Sequence, residues 1–175
     1  ANNGIEFVWL MGIWETCSKE TIRKYCFTPG LQKEYKRALK DWKEDDIVGS
    51  PYAINNYRVN PVLGDLSDLK KLREKLAEFD LKLILDFIPN HFCAETELLR
   101  EKPEIFLSTD DEHLRNDPYT YFRSSVNESK IFAHGRDPFY PAWEDTVQVN
   151  YFSQEARKFM IKKLLEISQL CDGVR

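Results

Sequence analysis

The sequence predicts an α/β fold built on parallel β-strands, and three features carry that prediction. An apolar run, IEFVWLMGIW, covers residues 5–14, and a second, LKLILDFI, covers residues 81–88. An amphipathic helix pattern lies between them, at residues 66–79. Two apolar strands joined by a helix form the crossover unit that a parallel pair of strands requires.

Length and composition indicate a folded domain and argue against two classes of protein. The chain has 175 residues, of which 42% are hydrophobic and 13% aromatic, enough for a substantial core. Its net charge of -4, with both signs spread along the chain, argues against nucleic-acid binding, which needs a concentrated basic face. No run approaches the roughly 18 apolar residues of a membrane span, so we expect a soluble chain. The first residues, ANNGIE, lack a signal-peptide pattern, and both a cytoplasmic and a secreted location stay open.

The first third of the chain predicts a strand, an excursion and a helix. The run at residues 5–14 is interrupted only by Glu6 and Gly12, which favours a strand covered on both faces. Residues 15–30 are charged and polar and end in Pro29-Gly30, which predicts an irregular excursion. A helix is predicted next, because one face would gather Leu31, Tyr35, Ala38, Leu39 and Trp42.

A loop and a well-marked helix follow. Residues 49–64 have the Gly, Ser, Pro and Asn content of a loop, but carry Tyr52 and Tyr57, and aromatic residues in a polar loop often bind a ligand. Asp65 and Asp68 predict the start of a helix, where the cap and the helix dipole favour acids. The predicted buried stripe of this helix comprises Leu66, Leu69, Leu72, Leu76 and Phe79.

The stretch Leu81–His91, LKLILDFIPNH, predicts a buried parallel strand whose carboxyl end opens into a functional loop. Alternation along the strand places Asp86 on the same face as Ile84 and Ile88. A carboxylate on a buried face is costly unless it is paired or hydrogen bonded. We therefore expect a cationic partner for Asp86.

The remainder of the chain divides into an irregular segment and a helix. Residues 92–150 show no long periodicity and contain several prolines and many aromatic residues. This composition predicts a small subdomain inserted after the strand. The predicted domains are thus residues 1–91, 92–150 and 151–175. The last helix is predicted to start at a Ser153 cap and to bury one face formed by Ala156, Met160, Leu164, Ile167 and Cys171.

The four cysteines lie far apart and form no CxxC pair, so a zinc site is poorly supported. We predict unpaired thiols at Cys17, Cys26, Cys93 and Cys171.

The motif DFIPNH, residues 86–91, resembles the first signature region of the alpha-amylase family of glycoside hydrolases, in which an aspartate is followed by three residues and Asn-His. FVWLMGIW resembles the family's second strand, SPYAINNYRVNPVLGDLSDLKKL its aromatic loop and second helix, and CDGVR the start of its second signature region. The resemblance implies a partial (β/α)8 TIM barrel, holding strands two to four, with an irregular subdomain inserted after the third barrel strand. A complete barrel of this kind needs about 250 residues.

The resemblance also implies roles for individual residues. His91 would hydrogen bond hydroxyls of the sugar at the cleavage point, and Tyr52 would stack on that sugar. Arg175 would hold a nucleophilic aspartate ionised and would be the cationic partner of Asp86. Asn90 matches a position that ligates calcium in some family members, although one amide does not make a site. No other metal or cofactor is expected.

These roles imply a retaining glycosidase or transglycosidase acting on alpha-linked glucans or oligosaccharides, whose reaction needs two carboxyl groups about 5 Å apart. In the family the nucleophile lies two positions after the arginine that Arg175 matches, so we expect the 175-residue chain alone to be inactive. A partial barrel would also present unpaired strand edges, which favour self-association.

Alternatives remain open at this point. Without the family pattern, Asp86 would cap nearby backbone amides, His91 would be a loop imidazole and Tyr52 a packing residue. A second functional hypothesis is a non-catalytic family relative that serves as a carbohydrate-binding or interaction module. A third is a metal-dependent hydrolase with Asp86 and His91 as ligands, which would need His113 or His134 as well.

Overall fold

The computed structural model describes residues 4–175; residues 1–3 of the predicted segment 1–91 lie outside them. Ten strands and six α-helices alternate along these residues, with 3-10 turns at Glu44–Asp46 and Pro103–Ile105. The elements up to the middle of the chain are β1 (Phe7–Leu10), β2 (Trp14–Thr16), α1 (Lys19–Cys26), α2 (Pro29–Ala38), β3 (Ile54–Val59), α3 (Leu66–Ala77), β4 (Lys82–Leu85) and β5 (His91–Cys93). The later elements are α4 (Leu98–Glu101), β6 (Ser108–Thr109), α5 (Asp111–Asn116), β7 (Tyr121–Phe122), β8 (Ile131–Ala133), β9 (Thr146–Gln148), α6 (Gln154–Ser168) and β10 (Gly173–Val174).

A three-stranded parallel sheet in the order β1-β4-β10 is the centre of the fold. β4 lies in the middle, and Leu83 and Leu85 are fully buried in the main hydrophobic cluster. α3 precedes β4 and α6 precedes β10, so each of these strands follows a helix, as the sequence predicts. The predicted α/β class with parallel strands is confirmed.

The start of α3 is also confirmed, whereas its buried stripe is wrong in part. The Asp65 carboxylate accepts hydrogen bonds from the Ser67 and Asp68 amides, and the Asp68 carboxylate accepts one from the Asp65 amide. Leu69 is buried, but three members of the predicted stripe are exposed: Leu66, Leu72 and Phe79.

The last helix, α6, begins as predicted, with the Ser153 hydroxyl accepting a hydrogen bond from the Ala156 amide. Most of its predicted buried face is confirmed: Ala156, Met160, Ile167 and the nearby Cys171 are buried. Leu164 is more than one-third exposed, so its predicted burial is wrong. None of the helices within residues 4–175 is both long and apolar enough to cross a membrane.

The first strand differs from the expectation of burial on both faces. β1 is shorter than the apolar run, and Phe7 and Trp9 are 49% and 41% exposed. Within the described residues β1 is an edge strand of the sheet, and its Phe7 and Trp9 side chains are only partly covered. Apolar composition alone does not reveal this difference.

Secondary structure was missed in two segments. The predicted excursion at residues 15–30 contains α1, capped by Ser18, and the start of α2, where Pro29 occupies the first turn. The predicted loop at residues 49–64 contains β3, which pairs antiparallel with β2. α2 ends at Ala38, short of the predicted Trp42, and has no buried residue.

Residues 92–150 form short elements around two small antiparallel sheets, β5-β9 and β6-β8-β7. β5 and β9 pair His91 with Gln148, so the two ends of the segment lie side by side. Its buried residues Leu99, Phe106 and Phe132 belong to the same hydrophobic cluster as β4. The division at residues 91 and 150 stays a prediction.

The prediction of four unpaired thiols is wrong for two of them, because Cys17 and Cys93 form a disulfide with Cα atoms 5.8 Å apart. They are 76 residues apart in sequence, so spacing gives no sign of the pairing. Cys26 and Cys171 are free thiols in the described structure. A salt bridge of 2.7 Å between Lys24 and Glu95 makes a second link between the α1 region and residues that follow β5.

We expect loss of this disulfide to lower the free energy of unfolding by about 3–4 kcal/mol, because closing a long loop restricts the unfolded chain. Urea unfolding of Cys17→Ser in the complete gene product measures the loss, and dithiothreitol should reproduce it in the unsubstituted protein. Cys26→Ser, at a free thiol, is the matched control. Equal stability of the two variants would contradict the prediction.

Candidate functional site

Asp86 follows β4 directly and is only 2% exposed, so its carboxylate needs partners. The Trp9 indole Nε1 donates to Oδ1 at 3.1 Å, and the Gly12 amide donates to Oδ2 at 3.1 Å. The backbone carbonyl of Asp86 accepts a 2.7 Å hydrogen bond from the Trp14 indole. β1 and the segment that follows it therefore orient Asp86 from one side.

Arg175 supplies the cationic partner from the other side of β4. Its Nη1 lies 3.2 Å from Asp86 Oδ1, and its guanidinium lies 4.3 Å from the centre of the Trp9 ring. Backbone hydrogen bonds to Leu85 and from Phe87, both 2.9 Å, continue the pairing of β10 with β4. The expected ion pair of Asp86 is confirmed. Within this chain, however, the Arg175 side chain is 58% exposed, which departs from an interior arginine.

Tyr52 lies beside this pair. Its hydroxyl is 3.4 Å from Arg175 Nη1, and its amide donates to the Ser50 hydroxyl. Gly12 permits the approach of this loop, because a Cβ at position 12, where φ is +66°, would lie 2.3 Å from Pro51 Cβ. Gly12 and Trp9 are site residues that the sequence reasoning missed, and only their tertiary contacts identify them.

Tyr57, the other aromatic of the predicted loop, packs within the fold. It lies on β3, where its hydroxyl donates to the Ile88 carbonyl and accepts from the Ile88 amide, both at 2.8 Å. Its ring stacks on Phe87 at 5.7 Å, and burial raises the pKa of Tyr57 well above its usual range. Tyr57 therefore holds the chain immediately after Asp86 in place.

His91, the first residue of β5, is half-buried between two neighbours. Asn90 Nδ2 lies 3.2 Å from His91 Nδ1, and the Trp143 ring meets the imidazole edge-on at 5.2 Å. Burial lowers the pKa of His91 to about 4, although a hydrogen bond involving the Tyr52 backbone partly opposes the shift. His91 is consequently neutral at pH 7, with one ring N–H that can donate and one nitrogen that can accept.

Gly135 was also missed, although it supports the histidine closely. An added Cβ would lie 2.8 Å from His91 Cβ and 2.6 Å from Thr146 Oγ1. The Gly135 amide donates to that Thr146 hydroxyl at 3.1 Å. The absence of a side chain at position 135 thus lets the irregular segment pack directly on His91.

Asn90, the candidate calcium ligand, is engaged by the protein. Its Oδ1 accepts from Gln148 Nε2 at 3.0 Å, and its Nδ2 donates to the Arg136 carbonyl at 3.3 Å. Across residues 4–175 there is no group of three or more His, Cys, Asp or Glu side chains arranged to hold a metal ion. The Asn90 amide is thus hydrogen bonded within the protein, and its role as a calcium ligand stays a prediction.

The two other histidines of the metal-hydrolase hypothesis have separate partners. His134 is buried and its Nδ1 lies 2.8 Å from the Thr146 carbonyl, while the exposed His113 pairs with Asp110. The structure does not join either to Asp86 as a metal cluster in the described part of the chain.

The matches to known proteins assign the family. A model of the alpha-amylase catalytic domain matches residues 3–163. The chain belongs to the alpha-amylase family. The resemblance of DFIPNH and its flanking segments to this family is confirmed.

The matches to individual relatives cover only a small part of each relative's length. The chain is 28% identical over 113 residues to Maltase A1 of Drosophila melanogaster, a match that covers 61% of this chain and 18% of the relative. It is 38% identical over 58 residues to the human amino acid transporter heavy chain SLC3A1, covering 33% of this chain and 7% of that protein. The chain thus spans less than a fifth of each of these relatives.

A solved structure shows the same fold. The crystal structure of an alpha-amylase from Lactobacillus plantarum is 24% identical and superposes with a TM-score of 0.62. The match covers 97% of this chain and 30% of that structure. The mixed α/β arrangement of this chain is therefore that of part of an alpha-amylase barrel structure.

Proposed function

We propose that the chain is part of a glycoside hydrolase or transglycosidase that cleaves alpha-glucosidic bonds with retention. The observation that carries this proposal is the grouping of Asp86, Arg175, Tyr52 and His91 at the carboxyl end of β4, in a chain of the alpha-amylase family. Sites on barrels of parallel strands lie at the carboxyl ends of the strands. The proposed substrate is an alpha-linked glucan or oligosaccharide.

In this proposal His91 binds a sugar hydroxyl as a neutral ring through Nε2, because Asn90 Nδ2 lies at hydrogen-bonding distance from Nδ1. Tyr52 presents its ring to the sugar at the cleavage point. Arg175, fixed by Asp86 and Trp9, directs positive charge toward a nucleophilic carboxylate. A retaining reaction also needs a nucleophile and an acid, and we propose that these carboxylates lie outside the 175 residues.

We also propose that β1, β4 and β10 are strands two to four of a (β/α)8 barrel. Support comes from their parallel order, which follows the sequence, and from the helices α3 and α6 that connect them. Residues 92–150 would be the inserted subdomain, between residues 1–91 and 151–175. The pairing of β5 with β9 supports this division, because it returns the chain to β4 before α6 begins.

A second candidate is a non-catalytic relative that keeps the barrel and serves as an interaction module. It is favoured by the 38% identity to a human protein described as an amino acid transporter heavy chain. The two candidates differ in whether a nucleophile and an acid accompany the site. An assay for bond cleavage therefore separates them.

The test is hydrolysis and transfer on maltose and maltooligosaccharides by the complete gene product, with the anomer of the first product followed by NMR. We expect cleavage that releases the α-anomer, as retention requires. The 175-residue chain alone is expected to show no turnover. Absence of cleavage by the complete product would favour the interaction module, and release of the β-anomer would contradict the retaining mechanism.

A further inference from the structure

The loop at residues 136–142 is anchored directly to the His91 region. The Trp143 amide donates to the Gly135 carbonyl at 2.8 Å, which closes the base of the loop. The Arg136 amide donates to Gln148 Oε1 at 3.2 Å, and the Arg136 carbonyl accepts from Asn90. Because Trp143 also contacts the His91 ring, the loop rises from the edge of the candidate site.

The tip of this loop exposes two adjacent aromatic rings. Phe139 is 88% exposed and Tyr140 is 65% exposed. Pro138 and Pro141 flank the pair and restrict the backbone, and Asp137 Oδ1 accepts from both aromatic amides, at 2.7 and 3.1 Å. The backbone of the pair is thus ordered although its rings face solvent, and ordering before binding reduces the entropy that a ligand must overcome.

The exposed rings of Phe139 and Tyr140 are suited to contact with a sugar. Exposed apolar surface is unfavourable and commonly marks an interaction site. A pyranose presents flat C–H faces with hydroxyls at its rim, and an aromatic ring with a polar tip, such as Tyr140, can cover the face while its hydroxyl remains hydrated. Continuity with His91 through Trp143 points to the same substrate as the occupant.

We propose that Phe139 and Tyr140 form a binding platform for a glucosyl unit beyond the disaccharide at the cleavage point. The base of the loop contacts Asn90 and, through Trp143, the His91 ring, so its tip borders the sugar that His91 is proposed to contact. This inference rests on the proposed glycosidase function and assigns the pair to recognition of longer chains. Phe139 and Tyr140 bind substrate and take no part in bond cleavage.

The test compares maltose with maltoheptaose as substrates of the complete gene product and its Phe139→Ala and Tyr140→Ala variants. We expect kcat/KM for maltoheptaose to fall about tenfold in each variant, mainly through KM, with little change for maltose. Phe139→Leu and Tyr140→Leu keep apolar volume without a flat face and should show the same loss. Phe79→Ala is the matched control, since Phe79 is exposed before the amino end of β4, opposite Asp86.

Equal losses on both substrates, accompanied by a lower Tm and restored by the leucine variants, would mean that the rings pack against protein and would overturn the proposal. Unchanged kinetics on maltoheptaose would also overturn it. Calorimetric titration with maltoheptaose measures binding without requiring cleavage, so it tests this inference independently of the proposed function. Without any cleavage, binding that is weakened by Phe139→Ala still supports the platform, whereas binding that is unaffected refutes it.

Discussion

Replacement of His91 by alanine is expected to lower kcat for maltooligosaccharides by about 10²–10³ in the complete gene product, while the fold is retained. A neutral hydrogen-bonding group placed against the reacting sugar contributes on this scale when its bond strengthens in the transition state. The variant should keep its fold because the neighbouring Phe92, which is fully buried, anchors β5. Initial rates and the far-UV circular dichroism spectrum measure the two effects.

His113→Ala is the matched control, because His113 is exposed and pairs with Asp110 away from β5. We expect its kinetics to equal those of the unsubstituted protein. An unchanged kcat for His91→Ala would remove His91 from the sugar site. A loss of activity with a collapsed spectrum would assign His91 a structural role instead.

Replacement of Asp86 by alanine should lower the free energy of unfolding by about 1–3 kcal/mol, because partly buried hydrogen-bond donors would lose their acceptor. The Trp9 indole, the Gly12 amide and the Arg175 guanidinium would all lose their common acceptor. Urea unfolding of the complete gene product measures the change. Asp86→Asn should cost less, since an amide oxygen still accepts a hydrogen bond.

Asp45→Ala provides the comparison for this stability change. Asp45 is 95% exposed and lies 3.9 Å from Lys19, so we expect little effect. If Asp86→Ala were as stable as Asp45→Ala, the buried carboxylate would not organise the sheet as its contacts indicate.

The sequence predicted those features whose signal is local. Asp65 and Ser153 mark helix starts because a cap acts within three residues, and the structure has both caps. The need of Asp86 for a cation followed from the cost of burying charge, and Arg175 meets that need. The alternative reading of Asp86 as a cap of backbone amides also holds in part, because it accepts from the Gly12 amide.

The missed features depend on contacts between distant segments. β3 has the polar sequence INNYRV and forms a strand because β2 pairs with it. The Cys17–Cys93 disulfide and the contact of Gly135 with His91 join residues that are far apart in sequence. Composition and periodicity carry no information about contacts between distant segments. These residues therefore could not be assigned to the site from a single sequence.

The contacts of Asp86 have a consequence for how the sheet assembles. One carboxylate accepts from Trp9 on β1 and from Arg175 just after β10, the two strands that flank β4. A shift of either strand by one residue would turn its donor to the opposite face and leave the charge without that partner. Asp86 therefore favours the native register of all three strands, because a shifted register would cost the free energy of an unpaired buried carboxylate. This selection acts during folding, before any sugar is bound.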